Sequence, residues 1–255
     1  MAISTTIKNI SIITNSYKPI RWLERHILRP KQLRLFKEHV HFYRSLIPDN
    51  TLCFDVGANI GEKSEVLSTL GAQVVAFEPN PLVIPELKAR CGKSRNWEFL
   101  AVGLGSKTAV LNFYARKAHG SSGFIKDWQV GIIDSFHVPV ITLDDAIKFF
   151  GVPYYCKIDV EGWELEVFKG LTYSIPLISF EFHLNDQNIQ NTISCLERLG
   201  HFGSSSVNIT PSETFSFYYK EWVPLNQFLE WFPGDLKKVL PGDPYGDIFI
   251  RSDAT

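Results

Sequence analysis

The sequence predicts an α/β fold built on a mainly parallel sheet, and three observations carry the prediction. From residue 51 onward, short apolar runs alternate with amphipathic segments, the rhythm of right-handed βαβ units. The run ending at Phe54-Asp55 opens a glycine-rich turn, Gly57-Ala58-Asn59-Ile60-Gly61, that leads into a helical pattern. The next apolar run ends in Ala76-Phe77-Glu78-Pro79. Two carboxylates therefore stand at the carboxyl ends of consecutive strands, where open α/β sheets take their ligands.

Residues 1–47 read as a basic helical extension, and 48–255 as one catalytic domain. In the extension Ile20, Leu23, Ile27 and Leu28 fall on one helical face, with Arg21, Arg25 and Arg29 largely elsewhere, until Pro30 breaks the pattern. A second helix over 31–47 gathers Leu33, Phe36, Val40 and Tyr43. Both helices are expected to cover the sheet edge, with a membrane-surface contact as the alternative. The domain then reads as strand 51–56, helix 62–70, strand 73–78, helix 81–90 and strand 97–102. Its cofactor half is placed at about 50–115, and acceptor or lid elements at about 116–140 and 200–245. Residues 109–115 and 138–143 read as strands flanking His119-Gly120-Ser121-Ser122-Gly123, a loop whose glycines suit a hinged lid. Helix 143–150, strand 154–160, helix 162–170, strand 175–183 and helix 186–199 resume the sheet. Residues 203–206 read as a loop, 214–222 as a hairpin arm, and 246–251 as a closing strand.

The 255 residues are 45% hydrophobic, enough for a substantial core, and the net charge is -1. Nucleic acid is not expected as a partner. Charge is nonetheless uneven: residues 1–47 hold nine Lys and Arg against Glu24 and Glu38, about +7, leaving about -8 elsewhere. Cys53, Cys91, Cys156 and Cys195 are widely spaced, without a CxxC pair, and read as buried reduced thiols. With no apolar run near 18 residues and a poor signal-peptide core, a cytoplasmic protein is expected.

A dinucleotide fingerprint needs G-x-G-x-x-G, and Asn59 occupies its middle glycine. This disfavours a nicotinamide-dependent reductase, and no Lys-Ser or Lys-Thr follows at P-loop spacing. S-adenosyl-L-methionine fits instead. Asp55 is expected to hold its ammonium, the amides of 57–61 its carboxylate, and Glu78 both ribose hydroxyls. If Glu78 serves only the ligand, its loss should leave the melting temperature of the free protein nearly unchanged.

FDVGANIG at 54–61, AFEPNP at 76–81, ITLDD at 141–145 and KIDVEGWELEVFKG at 157–170 together resemble the FkbM-type family of class I S-adenosylmethionine-dependent methyltransferases. The resemblance spans about 50–185, with weaker likeness in GDIFI at 246–250. It implies a doubly wound, Rossmann-like sheet of seven strands, parallel but for the last, with helices on both faces. It also implies transfer to a hydroxyl of a sugar, glycan or secondary metabolite. By motif, Asp55, Gly57, Ala58, Asn59, Gly61, Glu78 and Asn80 match cofactor contacts, with Ala101 and Val102 beside the adenine. A binding protein that keeps this fold without turnover is a third reading.

Methyl transfer also needs a group to take the acceptor's proton. Asp159 and Glu161 end the fourth core strand, and Glu181 and His183 end the next. His183 is the attractive base because its ordinary pKa lies near neutrality. Asp159 would orient the acceptor, hold His183, or join Glu181 on a metal, although no ligand spacing requires a metal.

Overall fold

The computed structural model describes residues 8, 11–12, 16–23, 30–92, 94–212, 214–234, 236 and 245–252. Its strands are β1 (Leu52–Val56), β2 (Gln73–Phe77), β3 (Trp97–Leu100), β4 (Gly103–Leu104), β5 (Ala109–Arg116), β6 (Ile132–Ile141), β7 (Tyr155–Ile158), β8 (Leu177–His183), β9 (Ser205–Pro211), β10 (Val223–Pro224) and β11 (Tyr245–Ser252). The helices are α1 (Tyr17–Leu23), α2 (Pro30–Arg44), α3 (Glu62–Thr69), α4 (Ile84–Cys91), α5 (Leu143–Phe150), α6 (Glu164–Lys169), α7 (Asp186–Gly200) and α8 (Leu225–Trp231). Ile27 and Leu28, with Arg25 and Arg29, lie outside the described residues.

The main sheet has the order β10-β9-β11-β8-β7-β1-β2-β3. Strands β3, β2, β1, β7 and β8 run parallel, and β11 pairs antiparallel with both β8 and β9. Seven strands match the expected sheet; the eighth, β10, adds two residues antiparallel to β9. Strands β4, β6 and β5 form a separate three-stranded sheet where the βαβ rhythm breaks.

Successive side chains of a strand face opposite ways, so each parallel strand feeds two cores. Phe54, Val75, Cys156, Ile178 and Phe180 pack with Leu143 and Ile147 of α5, Phe168 of α6 and Leu196 of α7. On the other face Cys53, Val74, Tyr155, Leu177 and Phe249 pack with Val66 and Leu67 of α3 and with Phe42 and Tyr43 of α2. All four cysteines are free and buried. Among the described residues no helix is long and apolar enough to cross a membrane.

Two elements differ from the sequence expectation. Helix α2 covers the middle of a sheet face, not its edge, because Phe42 packs edge-on against Phe249 at 5.6 Å and Tyr43 packs on Tyr155 at 5.6 Å. Residues 214–222 form no strand. The ladder runs upstream in β9, and the Asn208 side chain satisfies this segment's backbone, donating to Tyr219 O at 2.9 Å and accepting from Tyr219 N at 3.1 Å. Phe228 and Phe232 are buried in the larger core.

Candidate functional site

The turn after β1 reverses the chain through positive φ at Gly57 (77°), Asn59 (50°) and Gly61 (83°), and Asn tolerates that region better than most residues. A Cβ at Gly57 would lie 1.8 Å from the carbonyl oxygen of Asp159, so the turn is pressed against the end of β7. Four of its five amides are already used. Gly57 N and Ala58 N donate to Phe77 O at 3.0 and 3.1 Å, Gly61 N to Ala58 O at 2.8 Å, and Asn59 N to Glu78 Oε2 at 2.7 Å. The expectation that the amides of 57–61 receive a carboxylate is corrected at these four.

Glu78 is buried at the end of β2, and its other oxygen accepts Asn80 N at 2.7 Å. It is therefore a structural clamp as well as a candidate ligand group, which overturns the idea that it serves the ligand alone. Burial pushes its pKa up to about 7, against the pull of the two amides. Asp55 is wholly buried; Ser64 Oγ donates to its Oδ2 at 2.6 Å, while Oδ1 has no partner among the described residues. Burial raises its pKa, opposed chiefly by Lys157 and by the Ser64 hydrogen bond.

Two cavities open over the carboxyl edge of the sheet. The smaller, about 230 Å³, is lined by Gly57, Asn59, Glu78 and Val102 and is closed on its far side by Phe113 and Phe124. The larger, about 760 Å³, carries Asp55 and Ala58 in its wall and runs outward between α1, α2 and the segments around Thr214 and Tyr245. Gly57, Asn59, His119, Asp159 and Glu181 line both. Gly61, Asn80 and Ala101 line neither. Gly61 admits Leu87, which a Cβ there would approach to 2.6 Å, Asn80 Oδ1 accepts from Leu82 N at 3.0 Å to hold its own turn, and Ala101 is exposed.

The acidic residues of the two strand ends converge at this junction. Asp159, Glu161 and Glu181 each offer an oxygen within 4.8 Å of the others, close enough to share a cation. Lys157 Nζ binds Asp159 Oδ2 at 2.6 Å. Burial opposes the Lys157 charge, but Asp159, Asp247 and Asp55 hold its pKa well above the usual value. Burial, then the charges of Asp159 and Glu181, push Glu161 to about 9, so it carries a proton at neutral pH. That proton relieves repulsion among the three carboxyls. Glu161 adopts φ 57°, and its Oε2 accepts the indole N–H of Trp128 at 2.8 Å.

His183 lines neither cavity. It stands behind Glu181, Nε2 to Oε2 3.1 Å, between the ring of Tyr245 and the edge of Trp128. Burial opposes its protonation, but the hydrogen bond and charge of Glu181 prevail and raise its pKa. Burial and Asp159 raise that of Glu181 in turn, against His183.

The roof is the segment expected to be a hinged lid, and the structure shows it bolted down. Arg116, buried at the end of β5, donates to the carbonyls of Tyr114, Ser121, Ile125, Lys126 and Gln129 at 2.7 to 3.3 Å. Gly123 pairs with Tyr114, and His119 Nδ1 meets Asn59 Oδ1 at 2.8 Å. Arg116 and Trp128 were not singled out from the sequence, and neither was Lys63, whose ammonium lies in the wall of the larger cavity. A cation two residues beyond the glycine turn was the one signal available for any of them.

The chain is similar to several known proteins. Over 159 residues the chain is 30% identical to the hexuronic acid methyltransferase AglP of Haloferax volcanii, covering 60% of this chain and 64% of that protein. The chain thus spans less than two thirds of that relative. Among solved structures it is similar to precorrin-6y C5,15-methyltransferase from Geobacter metallireducens, at TM-score 0.43 and 15% identity over 84% of this chain and 88% of that one. It is also similar to a TehB-like SAM-dependent methyltransferase from Corynebacterium glutamicum, at TM-score 0.43 and 10% identity over 91% and 99% of the two chains. The sequence model of the methyltransferase FkbM domain matches residues 55–220, well over half of the chain, and the protein belongs to that family.

Proposed function

We propose that the protein transfers a methyl group from S-adenosyl-L-methionine to a hydroxyl oxygen of a sugar or glycan. The observation that carries this reading is the junction of two unequal cavities at Gly57, Asn59, Asp159 and Glu181. The residues fit the cofactor. Glu78 keeps free lone pairs on both oxygens at the smaller cavity, and Asp55 Oδ1 is an unpartnered buried acceptor. When bound, the cofactor supplies an electrophilic methyl on a sulfonium.

This chain's residues do the rest. An acceptor hydroxyl reaching the junction through the larger cavity meets Asp159, fixed by Lys157, and Glu181. Asp159 orients the hydroxyl and Glu181 takes its proton, with His183 behind it to stabilise the pair. Holding donor and acceptor in line contributes about 7 to 11 kcal/mol in favourable cases, and the base about 10² to 10⁴ in rate. A sugar acceptor is supported by AglP, whose name records a hexuronic acid as its substrate.

Titrating the protein with S-adenosylhomocysteine and, separately, with NADH tests the cofactor; binding of NADH alone would overturn the reading. A panel of sugars and glycans incubated with methyl-labelled cofactor then tests the acceptor, and the position of the added methyl, found by mass spectrometry, decides between oxygen and nitrogen.

A further inference from the structure

Among the described residues, the larger cavity's wall contains one cation whose hydrogen-bond partners are all neutral. Lys8 pairs with Glu86, Arg21 with Glu62 and Glu65, Arg90 with Glu62, Glu65 and Glu86, and Lys157 with Asp159. Lys63 forms no ion pair within 4 Å among the described residues. Its Nζ donates to Tyr43 Oη at 2.8 Å and to His39 Nε2 at 2.8 Å. An ammonium has no lone pair, so His39 Nε2 is the acceptor and its ring proton sits on Nδ1. The His39 ring stacks on Phe215 at 4.3 Å, and Lys63 also lies 4.4 Å over the Tyr43 ring. The ammonium is held at a set place by two neutral groups, and Asp55 feels its charge from a distance without pairing with it.

The ligand proposed above brings a matching charge. The amides of Gly57, Ala58, Asn59 and Gly61 are spent within the protein, so four of the turn's five amides are not offered to a carboxylate entering beside it. Lys63 lies two residues past Gly61 on the first turn of α3, in the same cavity wall as Asp55, Gly57 and Asn59. We propose that Lys63 is the carboxylate receptor of this junction, taking either the amino-acid carboxylate of the cofactor or an acid group on the sugar acceptor. The inference rests on the methyltransferase reading and names a residue of that site. It also gives α2 a part in ligand binding, because Tyr43 and His39 aim the ammonium.

The test compares the parent with Lys63→Met and Lys63→Arg by calorimetry. The probes are S-adenosylhomocysteine, 5′-methylthioadenosine (which lacks the amino-acid half), glucuronate and glucose. A charge-assisted contact of this kind corresponds to about a ten- to hundred-fold change in affinity. If the carboxylate is the cofactor's, Lys63→Met loses that factor for S-adenosylhomocysteine, keeps its affinity for 5′-methylthioadenosine, and is largely restored by Lys63→Arg. If it is the acceptor's, S-adenosylhomocysteine binding is unchanged and the preference for glucuronate over glucose disappears. Unchanged binding of both acidic probes by Lys63→Met overturns the proposal. Tyr43→Phe, which removes one of the two hydrogen bonds that aim the ammonium and no charge, should lose less affinity than Lys63→Met; an equal or greater loss would show that the seating of α2 matters and not the charge, and would also overturn it. A parent that binds neither adenosine probe refutes the cofactor reading itself, a different result from parent-like Lys63→Met.

Discussion

Replacing Glu78 by alanine removes the acceptor of two buried amides, those of Asn59 and Asn80, each 2.7 Å from a carboxyl oxygen. A buried donor left unpaired costs about 1 to 3 kcal/mol, so the free protein should lose about 2 to 6 kcal/mol at pH 5. For a chain of this length each kcal/mol moves the melting temperature by about 2 to 4 °C. The loss should shrink at alkaline pH, and the sign follows from the pKa. Burial raises Glu78 from the usual 4.5 to about 7 in the folded protein. Its contribution to stability is present below 4.5 and is lost as pH rises through 7, because the unfolded carboxyl ionises first. That gap is worth about 3 kcal/mol, and the alanine variant does not suffer it. Thermal melts of parent and variant without ligand, at pH 5 and pH 8.5, read the difference directly. In parallel, parent affinity for S-adenosylhomocysteine should rise as pH passes 7 and the carboxylate becomes a full acceptor for ribose hydroxyls, while the variant binds weakly throughout. Equal melting temperatures at pH 5, or a larger gap at pH 8.5 than at pH 5, would refute the reasoning.

Gly57→Ala forces a side chain into φ 77° and against the Asp159 carbonyl at 1.8 Å; strain and overlap together should cost about 3 kcal/mol or more in urea unfolding. Arg116→Met removes the side-chain donor of five carbonyls, of which that of Tyr114 keeps the Gly123 amide, and should cost about 3 to 5 kcal/mol, with amide exchange accelerated over residues 117–129 when followed by mass spectrometry. Glu161→Gln keeps an acceptor for Trp128 and loses the proton that the folded state retains up to about 9. Its stability should therefore fall less steeply than the parent's between about pH 5 and 9, and superimposable profiles would contradict the assignment. His183→Ala should bind S-adenosylhomocysteine normally and turn over about 10- to 100-fold more slowly, with Glu181→Gln more severe, since Glu181 lines the junction and His183 acts through it.

The parts of the fold set by local pattern were legible. Alternating strands and helices, the turn glycines and the carboxylates at strand ends are written in neighbouring residues. The rest depends on groups far apart in sequence or on backbone atoms that no residue type announces. Arg116 binds carbonyls, which every residue carries, so the glycines of 119–123 suggested a hinge where the structure has a clamp. Asn208 replaces a ladder eleven residues away at Tyr219, and residues 214–222 consequently read as a strand. Helix α2 was legible as a helix, but its place on the sheet face follows from Tyr155 and Phe249, more than a hundred residues downstream. Likewise Glu78 was legible as a candidate ligand group, and its hold on Asn59 and Asn80 was not.

The contact between Gly57 and the Asp159 carbonyl leaves no slack between the turn after β1 and the end of β7. One turn borders the smaller cavity and the other carries an acid of the larger. A ligand that shifts either turn by a fraction of an ångström must shift both or strain the contact. Occupancy of the two cavities is therefore expected to be thermodynamically linked, each ligand altering the other's affinity by the same factor.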